Sequence, residues 1–280
     1  MARPVAFVTG ASRGIGKAIA LALAEAGHDL IISSRTVHAG EVRDNSLSVH
    51  KKDERPLPGS LEETAQAASA SGADVLLVPL DLTDRSSVEA AAERIALERG
   101  GPGLIVHNGR YIGPGLMDLF LDTPIDAYGK FVEAHAIAPI ILTKALLPAM
   151  LARGGGTIIT ITSTAGFLNP PAPAGKGGWG LAYAVGKGAG HQLIGTLHAE
   201  YADQGLRAYN VEPGFIGTER NHIVASDLGH ELSRSAPPSI IGALVRWLVA
   251  NPDAAAPLTG TTIRAQPFIR EHGICPDWDG

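Results

Sequence analysis

The feature that most constrains this chain is Thr9-Gly10-Ala11-Ser12-Arg13-Gly14-Ile15-Gly16, set between the apolar run 5–8 and a helical pattern that begins at Lys17. The order is strand, glycine turn, helix. Glycines at that corner let the backbone turn tightly and let a pyrophosphate come close, while free N–H groups and the positive end of the helix face the anion. In this context the turn reads as a dinucleotide site. Its spacing, Gly-x3-Gly-x-Gly, differs from the Gly-x-Gly-x-x-Gly of most nicotinamide enzymes.

The same alternation continues along the chain. Strand-length apolar runs at 5–9, 30–33, 75–79, 104–107, 157–162, 206–211 and 261–264 are separated by helical segments near 14–26, 61–71, 85–98, 125–151, 181–204 and 239–250. Such alternation predicts an α/β fold, a doubly wound parallel sheet with helices on both faces. No linker divides the 280 residues, so 1–280 reads as a single domain. Two stretches break the pattern. Residues 37–59 mix charge and proline without any period and read as a long surface loop. Residues 219–238 are polar and irregular, as expected of a lid over a substrate pocket.

Composition removes several functions. With 23 Lys and Arg against 28 Asp and Glu the net charge is −5, which offers no basic field for nucleic acid. Cys275 is the only cysteine, so no internal disulfide forms and a reducing compartment suits the chain. The first strand follows Met1 closely, and no apolar run reaches the ~18 residues of a membrane span. The expectation is a soluble cytoplasmic protein with no signal peptide and no membrane partner. The ten histidines show no paired ligand spacing, so no metal site is expected.

The second strand selects the cofactor. An acid about 20 residues beyond the glycine turn holds a ribose 2′-hydroxyl in NAD sites, whereas an arginine there suits a 2′-phosphate. This chain has Arg35 after Ser33-Ser34, and Arg13 projects from the glycine turn. Two guanidiniums without a carboxylate between them favour NADP(H), with NAD(H) as the second choice. The third strand ends in Asp81-Leu82-Thr83-Asp84, where Asp81 is placed to accept from an adenine amino group and Thr83 or Asp84 to cap a helix. The fourth ends in His107-Asn108-Gly109-Arg110, at the carboxyl edge where open α/β sheets bind ligands.

Two later segments carry the chemistry. The fifth strand leaves the hydroxyl cluster Thr162-Ser163-Thr164 at that same edge. Tyr183-Ala184-Val185-Gly186-Lys187 then puts a phenol and an ammonium one helical turn apart on one face. At about 5 Å and an effective dielectric near 20, the cation stabilises a phenolate by roughly 3 kcal/mol, or about two units of pKa. Such a tyrosine exchanges a proton with a carbonyl or alcohol oxygen near neutral pH. The turn Glu212-Pro213-Gly214-Phe215-Ile216-Gly217-Thr218 adds backbone amides and a hydroxyl suited to a carboxamide or phosphate.

Taken together, these segments resemble the short-chain dehydrogenase/reductase family over nearly the whole chain. The residues that carry the resemblance are Thr9-Gly10-x3-Gly14-x-Gly16, Asp81, Ser163, Tyr183-x3-Lys187 and Pro213-Gly214-x-Ile216-x-Thr218, in the family's order. It implies a seven-stranded Rossmann sheet, a homodimer or homotetramer, and hydride transfer between nicotinamide and a small carbonyl or alcohol substrate. Tyr183 becomes the acid/base, Ser163 the holder of the substrate oxygen, and Lys187 the residue that binds the nicotinamide ribose and lowers the tyrosine pKa. Ile216 and Thr218 become the carboxamide contacts. Gly10, Ser12, Arg13, Gly14, Ile15 and Gly16, with Arg35, Asp81, Leu82, Asn108, Gly109, Pro213 and Gly214, complete the cofactor set.

Three departures stand out. Arg110 replaces the last glycine of the family's Asn-Asn-Ala-Gly turn. His135, 28 residues before Ser163, occupies the place of the family's catalytic asparagine, so the relay to Lys187 is altered. The stretch between Ser163 and Tyr183 is longer than family members commonly have, which places an insertion within 167–180. The rival reading is a nucleotide-binding protein of the same fold that has lost turnover and serves as a cofactor sensor or supporting subunit.

Overall fold

A computed structural model describes residues 2–224 and 232–278. Its centre is a seven-stranded parallel sheet: β1 (Val5–Thr9), β2 (Asp29–Ser34), β3 (Val75–Pro79), β4 (Leu104–His107), β5 (Gly156–Ile161), β6 (Leu206–Glu212) and β7 (Thr262–Arg264). The order across the sheet is β3-β2-β1-β4-β5-β6-β7. It reverses between β1 and β4, and that reversal opens the crevice where such sheets bind ligands.

Alternate strand residues feed two cores, which is why the runs are apolar throughout. Ala6, Val8, Ile32, Val106, Ile159 and Val211 face one side with helix α1 (Gly14–Glu25), α2 (Leu61–Ser69) and the helix Ser239–Ala250. Phe7, Ile31, Val78, Ile105 and Ile158 face the other with α3 (Arg85–Arg99), α5 (Ala138–Leu151) and α6 (Leu181–Tyr201). The expected doubly wound architecture is therefore observed. Helix α3 begins where the sequence placed a cap: the Asp84 carboxylate accepts from the Ser86 and Ser87 N–H groups at 3.0 and 3.4 Å. Thr83 takes no part in that cap and donates instead to Asp81.

The segment expected as one helix over 125–151 has three parts. It starts as α4 (Ile125–Val132), widens into a π turn at Glu133–Ile137 and resumes as α5. A single wide turn of this kind re-aims side chains and is frequent at functional sites. Contrary to the expectation that no run reaches membrane-span length, Ile125–Leu151 is long and apolar enough. Its Leu142, Leu146 and Met150 are buried with the sheet residues Ile105 and Ile158. The short helices Glu219–Ile223, Pro252–Ala255 and Ala265–Glu271 carry no periodic signal long enough to be read beforehand.

Residues 37–59 contain no helix or strand, as expected, but they are not a solvated excursion. Asn45, Ser46, Leu47, Asp53 and Leu57 are buried. The segment folds on its own polar groups: Asn45 N–H donates to the Asp53 carbonyl at 2.7 Å, and Asp53 N–H to Ser46 Oγ at 3.0 Å. It is fastened to residues 115–118, with Met117 N–H donating to the Leu47 carbonyl at 3.0 Å and Ser48 Oγ to the Asp118 carboxylate. Of the expected lid 219–238, residues 219–223 form a helix, and 225–231 lie outside the described residues.

Candidate active site

The crevice at the carboxyl edge holds a cavity of about 800 Å³. At its floor the glycine turn runs against β4. Gly10 and Gly14 adopt φ of +69° and +56°, and a Cβ at Gly16 would lie 2.2 Å from the Gly10 carbonyl oxygen. Only glycine permits this close corner. Asn108 holds it from behind, its side-chain amide donating to the carbonyls of Thr9 at 2.9 Å and Gly10 at 3.2 Å. That amide is thus spent on positioning the turn.

Helix α1 takes no cap from the side chain of its N-cap residue, Arg13, and its first residues Gly14, Ile15 and Gly16 border the cavity. One of them, Gly14 N–H, donates to the carboxylate of Glu219 at 2.9 Å. A carboxylate at a helix N-terminus is favoured by the helix dipole, and here it occupies the Gly14 N–H. The Thr218 hydroxyl accepts from Asn221 N–H at 3.3 Å and caps the helix that carries Glu219.

At the end of β2, Ser34 Oγ donates to Ser12 Oγ at 3.0 Å, and no acid intervenes before Arg35. Arg35 lies 4.0 Å from Asp81, whose other oxygen accepts from Thr83 N–H and Oγ. Arg13 is more committed, donating to the Pro58 and Gly59 carbonyls, each at 2.8 Å. A third guanidinium, Arg43, reaches the Arg35 carbonyl at 2.9 Å and lines the same cavity. Arg43 was not legible beforehand, because it sits in the aperiodic 37–59 segment.

Every residue expected to bind cofactor borders this one cavity, and so do Ser163, Tyr183 and Lys187. Ser163 starts a 3-10 turn after β5, its Oγ accepting from Ala165 N–H at 3.3 Å. Lys187 is buried and donates to the Ile161 carbonyl at 2.9 Å, which fixes the ammonium beneath the tyrosine. Burial raises the Tyr183 pKa, but the charges of Lys187 and Arg110 and hydrogen bonds from Ser163 and Arg110 outweigh it. The phenol ends below its ordinary value. Burial likewise lowers Lys187, opposed by the Tyr183 charge and assisted by Arg110.

His135 does not border the main cavity. It lies in the π turn behind Tyr183, ring centroids 5.7 Å apart and nearly perpendicular. Its Nε2 accepts from Tyr111 N–H at 3.1 Å, so the ring proton is on Nδ1, which has no partner among the described residues. Burial, then the Lys187 and Arg110 charges, push His135 well below the usual histidine range. With His107, Thr160 and Lys187 it surrounds a second cavity of about 10 Å³, the size of one water molecule. His107 Nδ1 and Thr160 Oγ are also unpartnered there. Besides Arg43, the walls of the main cavity that sequence reasoning missed include Leu47, Leu57, Met117, Trp179 and Arg220.

A glycine corner that leaves no room for a Cβ, and a buried Tyr–Lys pair with a serine, thus meet around one cavity at the carboxyl edge of an α/β sheet, where such sheets bind ligands. The chain belongs to the short-chain dehydrogenase/reductase family: the family described as short chain dehydrogenase matches it over residues 4–53 and 55–228. The human protein called dehydrogenase/reductase SDR family member 7 is 33% identical over 233 residues, covering 82% of this chain and 60% of that protein. The chain thus spans about three fifths of that relative. An uncharacterised oxidoreductase of Mycobacterium tuberculosis is 29% identical over 239 residues, covering 85% of this chain and 84% of its own length. Among solved structures, an acetoin dehydrogenase from Salmonella typhimurium superposes with a TM-score of 0.73 at 25% identity, covering 94% of each chain.

Proposed function

We propose that the protein is an NADP(H)-dependent oxidoreductase that interconverts a ketone or aldehyde and the corresponding alcohol. The observation that carries this reading is Tyr183: a buried phenol facing a large cavity and held below its ordinary pKa by Lys187 and Arg110. The cofactor fits the residues present, because the Gly10–Gly16 corner leaves room that a Cβ would fill and Arg35 stands where a 2′-phosphate is read. When bound, the nicotinamide supplies or accepts the hydride.

The protein's own groups do the rest. Ser163 Oγ and the Tyr183 hydroxyl hold the substrate oxygen; in reduction Tyr183 gives it a proton, and in oxidation the phenolate takes one. Lys187 and Arg110 hold the phenol below its ordinary pKa, which makes the phenolate easier to reach. Behind it the water-sized cavity beside His135 and His107 offers a route for returning the proton. The location in the cytoplasm, the single-domain organisation and a homodimeric or homotetrameric state belong to the same reading, the first supported by the lone cysteine and the last by the family resemblance.

Reduced-cofactor fluorescence tests it directly. NADPH is expected to bind at least tenfold tighter than NADH, about 1.4 kcal/mol, with Arg35→Ala removing most of the difference; equal affinities refute the NADP assignment. Tyr183→Phe should abolish carbonyl reduction while NADPH still binds, and surviving activity refutes the acid/base role. Since reduction needs the protonated phenol, its rate should fall as pH rises through the lowered Tyr183 pKa, earlier than an ordinary tyrosine would dictate. The rival, a cofactor-binding protein without turnover, draws on the occupied Nε2 of His135. It predicts tight NADPH binding with no carbonyl reduced.

A further inference from the structure

The cavity is more cationic than a dinucleotide needs. Arg13, Arg35 and Arg43 gather at the β2 end, where the adenosine phosphate is read. Arg110 and Arg220 border the same cavity, and the charges of Arg13 and Arg35 also act on Arg220, more weakly than that of Arg110. Arg110 follows β4 directly after Gly109, and its charge helps to lower the Tyr183 pKa, which puts it toward the reacting end. Neither Arg110 nor Arg220 forms an ion pair with a carboxylate among the described residues.

Arg220 is the less ordinary of the two. Its side chain is only 6% exposed. The guanidinium is steered by Asn45, with Nη1 donating to the side-chain oxygen at 3.0 Å and Nη2 to the main-chain carbonyl at 2.5 Å. Asp53, the acid whose charge acts on it, is itself held by Arg55, with 2.5 Å between Asp53 Oδ2 and Arg55 Nη2. Burial, followed by the repulsion of Arg110, lowers Arg220 to about 9, and an anion between the two would relieve that repulsion. The carboxylates that do border the cavity are turned to other work. Asp81 accepts from Thr83, and Glu212 from Gly214 N–H at 2.8 Å. Apolar surface on the cavity wall comes from Leu47, Met117 and the ring of Trp179, whose Nε1 has no partner among the described residues.

We propose that the substrate carries a carboxylate, seated between Arg110 and Arg220, so that the carbonyl compound is an oxo-acid with an apolar body against Leu47, Met117 and Trp179. The proposal rests on the oxidoreductase reading given above and names its substrate class. The reaction is unchanged by the anchor: the carbonyl carbon receives a hydride from the reduced cofactor, the C=O π pair moves to oxygen, and that oxygen takes the Tyr183 proton. The product is the hydroxy-acid, the oxidised cofactor is left behind, and the carboxylate is neither made nor consumed. Two guanidiniums can each pair with the carboxylate in the planar, two-bonded manner that arginine favours. A neutral substrate leaves the buried Arg220 without a counter-anion, while the exposed Arg110 keeps water around it.

The test compares each acid with its own amide. Binding of 4-oxopentanoate, of its longer 4-oxo homologues and of the matching amides to the NADP⁺-loaded protein is measured by titration calorimetry, and kcat/KM with NADPH is measured in parallel. Expected is a preference for acid over amide of roughly 10- to 100-fold, the range of a charge-assisted hydrogen bond. The preference should shrink in high salt and collapse toward unity in Arg110→Gln and Arg220→Gln, while Arg110→Lys keeps part of it. Taking the ratio within each variant cancels any change in the Tyr183 pKa, because acid and amide share the same proton donor. Equal binding of acid and amide by the unaltered protein, no acid in the series bound, or a preference surviving both glutamine variants overturns the assignment. If acids bind selectively but no carbonyl is reduced, the oxidoreductase reading fails and the anion site stands. If neutral ketones turn over as well as acids, the reverse holds.

Discussion

Helix α6, which carries both Tyr183 and Lys187, contains two glycines five residues apart that should respond to alanine in opposite directions. A Cβ at Gly190 would lie 2.1 Å from the His135 carbonyl oxygen in the π turn, whereas one at Gly195 would meet nothing within 4 Å. Ordinary contact begins near 3.4 Å, so Gly190→Ala forces the helix and the π turn apart by roughly 1.3 Å. Both neighbours are backbone and cannot rotate away. Overpacking of this kind costs about 1–3 kcal/mol, against about 0.5–1 kcal/mol regained from replacing a helical glycine. The net loss is about 1–2 kcal/mol, or a Tm lower by about 2–4 °C in a chain of this size. The displacement also reaches the reacting groups: a misplacement of about 1 Å can reduce turnover roughly 100-fold. Gly195→Ala should instead raise Tm by about 1–2 °C and leave kcat alone. Thermal denaturation and NADPH-dependent carbonyl reduction on both variants decide it. If Gly190→Ala matches the unaltered protein in Tm and kcat, or if Gly195→Ala loses stability, the account of α6 packing is wrong.

Two further outcomes follow from buried or capping groups. Burial holds His107 at about 4, with its Nε2 2.9 Å from Thr143 Oγ; a histidine depressed in the fold contributes fully above its unfolded pKa near 6.5, and the contribution is lost as pH falls through 4. The loss amounts to about 2 kcal/mol at pH 5 and about 3 kcal/mol at pH 4, so urea unfolding from pH 7.5 to 4 should show a flatter acid limb in His107→Asn, and an identical limb would refute the assignment. Asp84→Ala removes the α3 cap and should cost about 1 kcal/mol, or about 2 °C in Tm; no change in thermal denaturation would show that water serves those N–H groups equally well.

The sheet was legible because a strand buried on both faces must be apolar at every position: 30–33 and 104–107 are found as read, extended at most by a residue at each end. The glycine corner and the Tyr183–Lys187 pair were legible because each depends on spacing along one element. What escaped depends on contacts between distant segments. The π turn adds a residue without changing composition, so His135 could be placed opposite Ser163 by counting but not recognised as lying behind the cavity. The 37–59 segment was read as solvated because its residues are polar, yet Asn45, Ser46 and Asp53 satisfy one another and can be buried. Arg220 lies in a short helix, and only the fold brings it to Asn45.

That segment is pinched shut at its base. Leu61 N–H donates to the Thr36 carbonyl and Glu62 N–H to that of Val37, each at 3.2 Å, so the chain leaves and re-enters the sheet layer at nearly one point. Closing the loop itself costs little more as it lengthens, about 0.6 kcal/mol per doubling, so what constrains the segment is its contacts through buried Asn45 and Leu47 and through Ser48. A wall of the cavity is therefore built by one closed loop between β2 and α2, and a substitution at Asn45, Leu47 or Leu57 changes that wall without touching the sheet. Selection can rewrite what the chamber accepts while the strands, the glycine corner and the tyrosine beneath them are inherited unaltered.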